Sequence, residues 1–402
     1  MNYKKGTRVG TYRETHRWLN FELDMRALPP DFWMAVGEAK SKCDHMAQVP
    51  LRDDVARRLY KLYLAKGVHA TTAIEGNTLS EDQVLDEIEG ELKVPQSQEY
   101  QRQEVINILE ACDAIERAVF AGDTSGQLSY EDILSYNEMV LRDLDLEPGV
   151  VPGQIREHSV VVGNVYKGPP AKECEELLRH MCDWLNNDHF LTLHQRFGVG
   201  ATLIRAIIAH LYLAWIHPFG DGNGRTARLI EFQMLVANGV PSPSAHLLSN
   251  HYNHTRPTYY RRLREASQNG GDVCPFLAYA VDGFVSQLRE QISHILEEYL
   301  QDLVWRDFVD QQLRDQSDVL AMRHKELLVS LFRHGLPVKK AALISLTPRL
   351  VELYRDKTTK TLTRDINKLR DKGLATQVRG GGWTANRALI RTFLPPTKAP
   401  EE

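Results

Sequence analysis

The chain has 402 residues, 43% of them hydrophobic and 25% charged, with a formal net charge of −4. That length allows two or three domains and a substantial core, and the composition is that of an ordinary soluble protein. The opening MNYKKGTRVGTYRE lacks the apolar core of a signal peptide, and no run approaches 18 uninterrupted apolar residues, which argues against a leader or a membrane span. Five cysteines, odd in number and without zinc-knuckle spacing, suit a reduced, cytoplasmic setting.

In chain order, residues before Leu51 read as an irregular or short-helical lead-in containing Pro29–Pro30. A helix is predicted from Leu51 to about Lys66, on Val55, Leu59, Leu62 and Tyr63. Ser80 looks like an N-cap for a short helix over Glu81 to about Ile88, and a longer helix runs from Gln101 to about Val119. Ser129 and Tyr130 introduce the next helix. In Pro148–Pro170, His158–Val162 and Val165–Tyr166 read as a small hairpin around Gly163–Asn164. Helices return at Lys172–Asn186, Ala201–Ile216, Thr226–Ala237, Tyr259–Ala266 and Phe276–Glu297. The body therefore reads as all-α with one small hairpin.

His217–Arg228, HPFGDGNGRTAR, has the parts of an anion site. Gly220, Gly222 and Gly224 let the backbone turn tightly and direct N–H groups inward, and a helix beginning near Arg225 adds unpaired donors. Arg225 and Arg228, three apart, could meet different phosphate oxygens from one helical face. Asp221 could place a carboxylate beside Mg²⁺. His217 could accept a hydroxyl proton near neutral pH. The run is not a Walker A loop, because GxxxxGK[ST] is missing.

This segment resembles the HxFx(D/E)GNGRxxR signature of the Fic (Fido) family of protein adenylyltransferases, with each fixed position present. The resemblance implies a helical Fic core and an enzyme that uses ATP and Mg²⁺ to place AMP on a target protein. It implies that His217 deprotonates a Ser, Thr or Tyr hydroxyl and that Asp221 holds Mg²⁺. Asn223 and the backbone of Gly222 and Gly224 would hold phosphate oxygens, Arg225 would stabilise phosphate charge, and Arg228 would engage the γ-phosphate. Phe219 would be a buried anchor and His210 structural. Thr71-Thr-Ala-Ile-Glu75-Gly76 resembles the family's inhibitory motif in the class with an N-terminal inhibitory helix, in which Glu75 would occupy Arg228. In some relatives the same glutamate positions water to remove AMP, so de-AMPylation is an alternative activity, and a regulator using the Fic fold as a sensor is another. The hairpin carrying His158, Val160, Val162 and Val165 resembles the flap that pairs with a target segment. Tyr252, Asn253, Tyr259 and Tyr260 lie where relatives shape the nucleotide or target pocket.

From Ala321 to Arg391 there are 16 Lys and Arg against 5 Asp and Glu, a balance of +11 that leaves −15 for the rest. Leu327, Leu328 and Leu331 mark one helix, Val338–Leu346 a second and Thr359–Asp371 a third. Leu374–Val378 and Gly380–Thr384 suit two strands around a wing. This resembles a winged helix, with Lys360, Arg364, Lys368 and Arg370 outward, and implies DNA as a partner or protein docking and a homodimer. The expected organisation is residues 1–110 for the N-terminal helices with the inhibitory motif, 111–300 for the catalytic core, 301–320 for a helical linker and 321–395 for the winged-helix domain.

Overall fold

The computed structural model describes residues 11–48, 53–124, 126–162 and 166–393. Two compact units are present, Met1–Gln291 and Ile292–Glu402.

The first unit is helical. After the single turn α1 (Tyr12–Thr15), the lead-in contains α2 (Pro30–Gln48), a 19-residue helix burying Phe32, Val36, Ala39 and Cys43. Pro30 at its first position explains how a proline pair opens a helix instead of breaking one. Next comes α3, Asp53–Ala73, which extends a full two turns beyond the expected end near Lys66; Leu51 and Arg52 lie outside the described residues. It stops where Gly76 adopts φ +103°. The short α4 (Glu81–Glu89) starts with a capping box between Ser80 and Gln83, as the sequence signals. Long α5 (Glu99–Ala121) and α6 (Tyr130–Leu141) follow, the latter boxed by Ser129 and Asp132.

Only Val161–Val162 (β1) and Tyr166–Lys167 (β2) pair as the hairpin, with Val161 opposite Lys167 and Val162 opposite Tyr166. His158–Ser159–Val160 precede the strand, and the expected turn and Val165 lie outside the described residues. Then come α7 (Cys174–Leu185), α8 (Asp188–Phe197), α9 (Val199–Ile216) and α10 (Asn223–Ala237). By length and composition α9 is apolar enough to cross a bilayer, although Arg205 and His210 interrupt its apolar run. All its residues except Ala214 are buried, packed against α2, α7, α8 and α10, so it is the central core helix. The turn α11 (Ser242–Ala245), α12 (Leu247–His254) and α13 (Arg256–Gln268) complete the wall beside α3. Phe276–Glu297 and the stretch after it form one helix, α14 (Cys274–Gln312).

In the second unit, Trp305 and Val309 near the end of α14 and Leu313 just after it join a core with α15 (Asp318–His334). Val338–Leu346 is not a helix: Val338–Lys339 is a strand, β3, followed by two 3₁₀ turns. Its apolar residues fill the core from irregular backbone, so periodicity misled. A helix unmarked in the sequence reading, α16 (Pro348–Tyr354), is capped by Thr347. The basic helix α17 (Thr359–Asp371) occurs at its expected bounds. β4 (Ala375–Gln377) and β5 (Gly382–Ala385) flank the glycine turn, and β3 adds a third strand in the order β3-β5-β4. The chain is thus predominantly α-helical, with small β elements in the flap and winged-helix-like C-terminal unit.

Candidate active site

The core helix α9 ends at His217, whose backbone is left-handed with φ 47°, an uncommon state for a residue with a Cβ. The following loop is closed by Asn223: its Oδ1 accepts the Phe219 N–H at 3.0 Å and its Nδ2 donates to the Phe219 carbonyl at 3.0 Å. Phe219 is 1% exposed, so it anchors the loop in the core. Helix α10 begins at Asn223 itself, two residues earlier than the sequence suggests, with Gly222 at φ 76° as its N-cap. Asn137 from α6 holds this corner, donating to the Asp221 carbonyl at 3.0 Å and accepting from Gly153 N–H at 3.0 Å. The result is a fixed backbone corner at a helix N-terminus, where anions are favoured.

The side chains around this corner are paired unequally. Arg225 is buried and donates from Nη1 to Glu104 Oε1 at 2.6 Å, while its Nη2 lies 3.4 Å from both Asp221 oxygens. Glu104 also accepts from Asn77, the residue after Gly76, at 2.9 Å. Neither contact was foreseen, because Asn77, Glu104 and Arg225 are far apart in the chain. Arg228 points elsewhere: its Nη2 donates to Glu75 Oε1 at 2.5 Å and to the Thr71 carbonyl at 3.0 Å. Among the described residues, Arg228 Nε and Nη1 have no hydrogen-bond acceptor although both are buried. Gly224 faces this pair; a Cβ there would sit 2.1 Å from Glu75 Oε1.

Burial favours protonation of Glu75, but the Arg228 guanidinium outweighs it and holds the carboxyl below its usual range. The Arg228 side chain is 1% exposed and that of Glu75 34%, so the arginine is enclosed while the glutamate is partly open to solvent. The end of the α3 segment is held by two more side chains from α13. Arg256 Nη1 donates to the Ala73 carbonyl at 3.1 Å, and Tyr260 Oη donates to the Ile74 carbonyl at 3.0 Å.

Burial depresses the His217 pKa to about 4, with Arg156 opposing protonation further and Glu75 and Asp221 favouring it. Its Nδ1 lies 3.3 Å from the Ala214 carbonyl, which can only accept. Nδ1 therefore carries the proton, and Nε2 keeps a lone pair to act as a base. His210, in contrast, is fully buried between Glu231 (3.1 Å) and Tyr259 Oη (2.8 Å) and is structural. Tyr252 and Tyr259 are buried in the same cluster; Asn253 and Tyr260 are more open.

The donor set fits a triphosphate and a shared Mg²⁺. Orphaned Arg228 donors adjoin the glycine corner, and the Asp221 side chain is 46% exposed. Among the described residues no cluster of three or more His, Cys, Asp or Glu could hold a metal unaided. A single carboxylate is what Mg²⁺ uses when phosphates supply further ligands.

The Fic/DOC family model matches residues 127–235. Protein adenylyltransferase fic-1 of Caenorhabditis elegans is 32% identical over 259 residues, covering 64% of this chain and 46% of that protein. Protein adenylyltransferase Fic of Drosophila melanogaster is 28% identical over 242 residues, covering 60% and 45%. The chain thus spans less than half the length of these relatives. Residues 134–508 of C. elegans Fic-1 superimpose with a TM-score of 0.54 at 28% identity, covering 67% of this chain and 74% of that one. A Fic family protein from Desulfovibrio desulfuricans G20 shares the fold with a TM-score of 0.59 at 21% identity, over 91% of this chain and 98% of its own. Motif, corner geometry and these relatives agree: residues 127–235 match the Fic/DOC family, and the helical unit around them is similar to the solved Fic-1 structure.

Proposed function

We propose that the chain transfers AMP from ATP to a Ser, Thr or Tyr hydroxyl of a target protein and that Glu75 inhibits this transfer. In that reaction His217 Nε2 takes the hydroxyl proton as the oxygen bonds to the α-phosphorus. The bond from that phosphorus to the bridging oxygen of pyrophosphate breaks, and pyrophosphate leaves with the electron pair. Arg225 and the α10 N-terminus stabilise phosphate charge. Asp221 is the residue to hold Mg²⁺, which would neutralise phosphate charge when bound. The observation that carries the reading is the Arg228–Glu75 pair, seated against Gly224 with two donors of Arg228 unused. A γ-phosphate and Glu75 would compete for the same guanidinium.

Incorporation from α-labelled ATP tests this: Glu75→Gly should raise labelling of protein and His217→Ala should abolish it. Equal labelling by wild type and Glu75→Gly removes the inhibitory role. The flap supports strand-like capture of a target, with His158 exposed and Val160 partly so. Removal of AMP is the second activity to assay, because an ionised Glu75 near His217 could orient water.

For the C-terminal unit we propose DNA binding. Lys360, Arg364, Lys368 and Arg370 are exposed on α17, while buried Asp365 fixes that helix through Arg323 at 3.1 Å and Tyr354 at 3.0 Å. Titration with duplex DNA at low and high salt tests this, and no binding at low salt would leave protein docking or homodimerisation as its role.

A further inference from the structure

Arg156 precedes the flap and belongs to no motif of the sequence. It is 6% exposed, and its positive charge has no carboxylate partner among the described residues. Instead its donors converge on backbone carbonyls. Nε donates to His217 at 2.8 Å, Nη1 to His158 at 2.6 Å and Nη2 to Pro169 at 2.7 Å. Its own N–H donates to Pro218 at 2.9 Å, and Ile155 forms an antiparallel bridge with Phe219. One guanidinium thus ties the general-base residue to the chain entering the hairpin and the chain leaving it. A second tie comes from Tyr166 in β2, whose hydroxyl donates to the Trp215 carbonyl at 2.6 Å.

We propose that Arg156 is a positioning residue that fixes the flap and the backbone of His217 as one unit, so that a hydroxyl held on the flap meets Nε2 in register. The proposal rests on the adenylyl-transfer reading above. A planar fork suits this work because three acceptors in different directions need rigid, separately aimed donors, which a lysine cannot supply. Burying the cation without an anion disfavours its charged form, so the carbonyl contacts must offset that cost. The cation also faces His217 together with Glu75 and Asp221, and it opposes imidazole protonation. Arg156 therefore acts on the base through geometry and through charge, and the two effects separate experimentally.

The test uses the full chain carrying Glu75→Gly, with Arg156→Lys and Arg156→Gln added singly. Labelling of the chain's own hydroxyls from α-labelled ATP should fall at least about tenfold in both, since small misplacements of reacting groups have effects of that size. ATP affinity by calorimetry should stay within about twofold, because Arg156 touches none of the phosphate-facing residues. The His217 imidazole pKa, followed by NMR of labelled histidine, should rise in Arg156→Gln and stay low in Arg156→Lys. Unchanged labelling, or labelling and ATP affinity that fall in parallel in both variants, would overturn the positioning role. If the Glu75→Gly parent takes no label, adenylyl transfer itself fails. The NMR arm then decides alone, and an unmoved pKa in Arg156→Gln sinks the link between Arg156 and His217.

Discussion

Arg228 spends one nitrogen, Nη2, on both Glu75 and the Thr71 carbonyl and leaves Nε and Nη1 without acceptors among the described residues. Competition at this guanidinium predicts that Glu75→Gly raises AMP incorporation by about 10- to 100-fold, the range of one charge-assisted hydrogen bond. Arg228→Ala added to Glu75→Gly should bring incorporation back to background, because the γ-phosphate then has no partner. Radiolabel counts over time check both.

If His217 is the base of the proposed transfer, its depressed pKa sets the acid limb of activity. The base works when neutral, and with a pKa of about 4 it stays neutral down to pH 5. Single-turnover transfer should therefore change by less than about twofold between pH 7.5 and 5.5, whereas an unperturbed imidazole near 6.5 would lose about tenfold. Measuring the rate in constant ionic strength buffers separates the cases.

Stability, unlike the rate, should change over the same range. His246 is buried against Phe232, and burial pulls its pKa down to about 3. Between that value and 6.5 the unfolded chain binds a proton that the folded chain does not, so stability falls as pH drops. At pH 5.5 the loss from this group is about 1.4 kcal/mol. Calorimetric melting at pH 7.5 and 5.5 should show it, with a smaller change in His246→Gln.

Asn223 closes the loop through both polar groups of Phe219. Asn223→Ala leaves a buried N–H and carbonyl without that partner, which costs about 1–3 kcal/mol of stability. ATP affinity should drop about tenfold or more in the same variant as the corner loosens. Denaturant unfolding and calorimetric titration report the two effects independently.

On α17, replacing Lys360, Arg364 and Lys368 together by Ala should weaken duplex binding and flatten its salt dependence. The slope of log affinity against log salt should fall by about 0.9 for each phosphate contact removed. The buried Asp365 bonds keep the helix in place, so the melting temperature should hardly change.

Much of this was legible because it is local. The His217–Arg228 spacing, the Ser80 cap and the α17 amphipathic stripe each report their own structure within a dozen residues. The Glu75–Arg228 pair was reached only through family resemblance, since 153 residues separate the partners. Arg156 and Glu104 were missed because a lone charged residue carries no period, and its value depends on carbonyls or cations brought in from elsewhere. Val338–Leu346 failed for another reason: β3 and its 3₁₀ turns bury apolar residues with no regular period, and β3 pairs with β5 over 40 residues away. The reach of α3 to Ala73 was hidden by Gly67, which the helix tolerates, and by β-branched Val68, Thr71 and Thr72, which weaken its propensity.

The carbonyls that Arg256 and Tyr260 hold at the end of α3 give the Glu75–Arg228 pair, on the inhibitory role proposed for it, a handle outside the glycine corner. Linkage makes that handle reciprocal: whatever loosens this helix end raises nucleotide affinity by the factor with which nucleotide loosens the helix end. On that proposal an input need not resemble ATP or touch a phosphate-facing residue. Anything that binds the freed 71–76 segment better than the docked one would act as an agonist, and Tyr260→Phe should mimic a weak one.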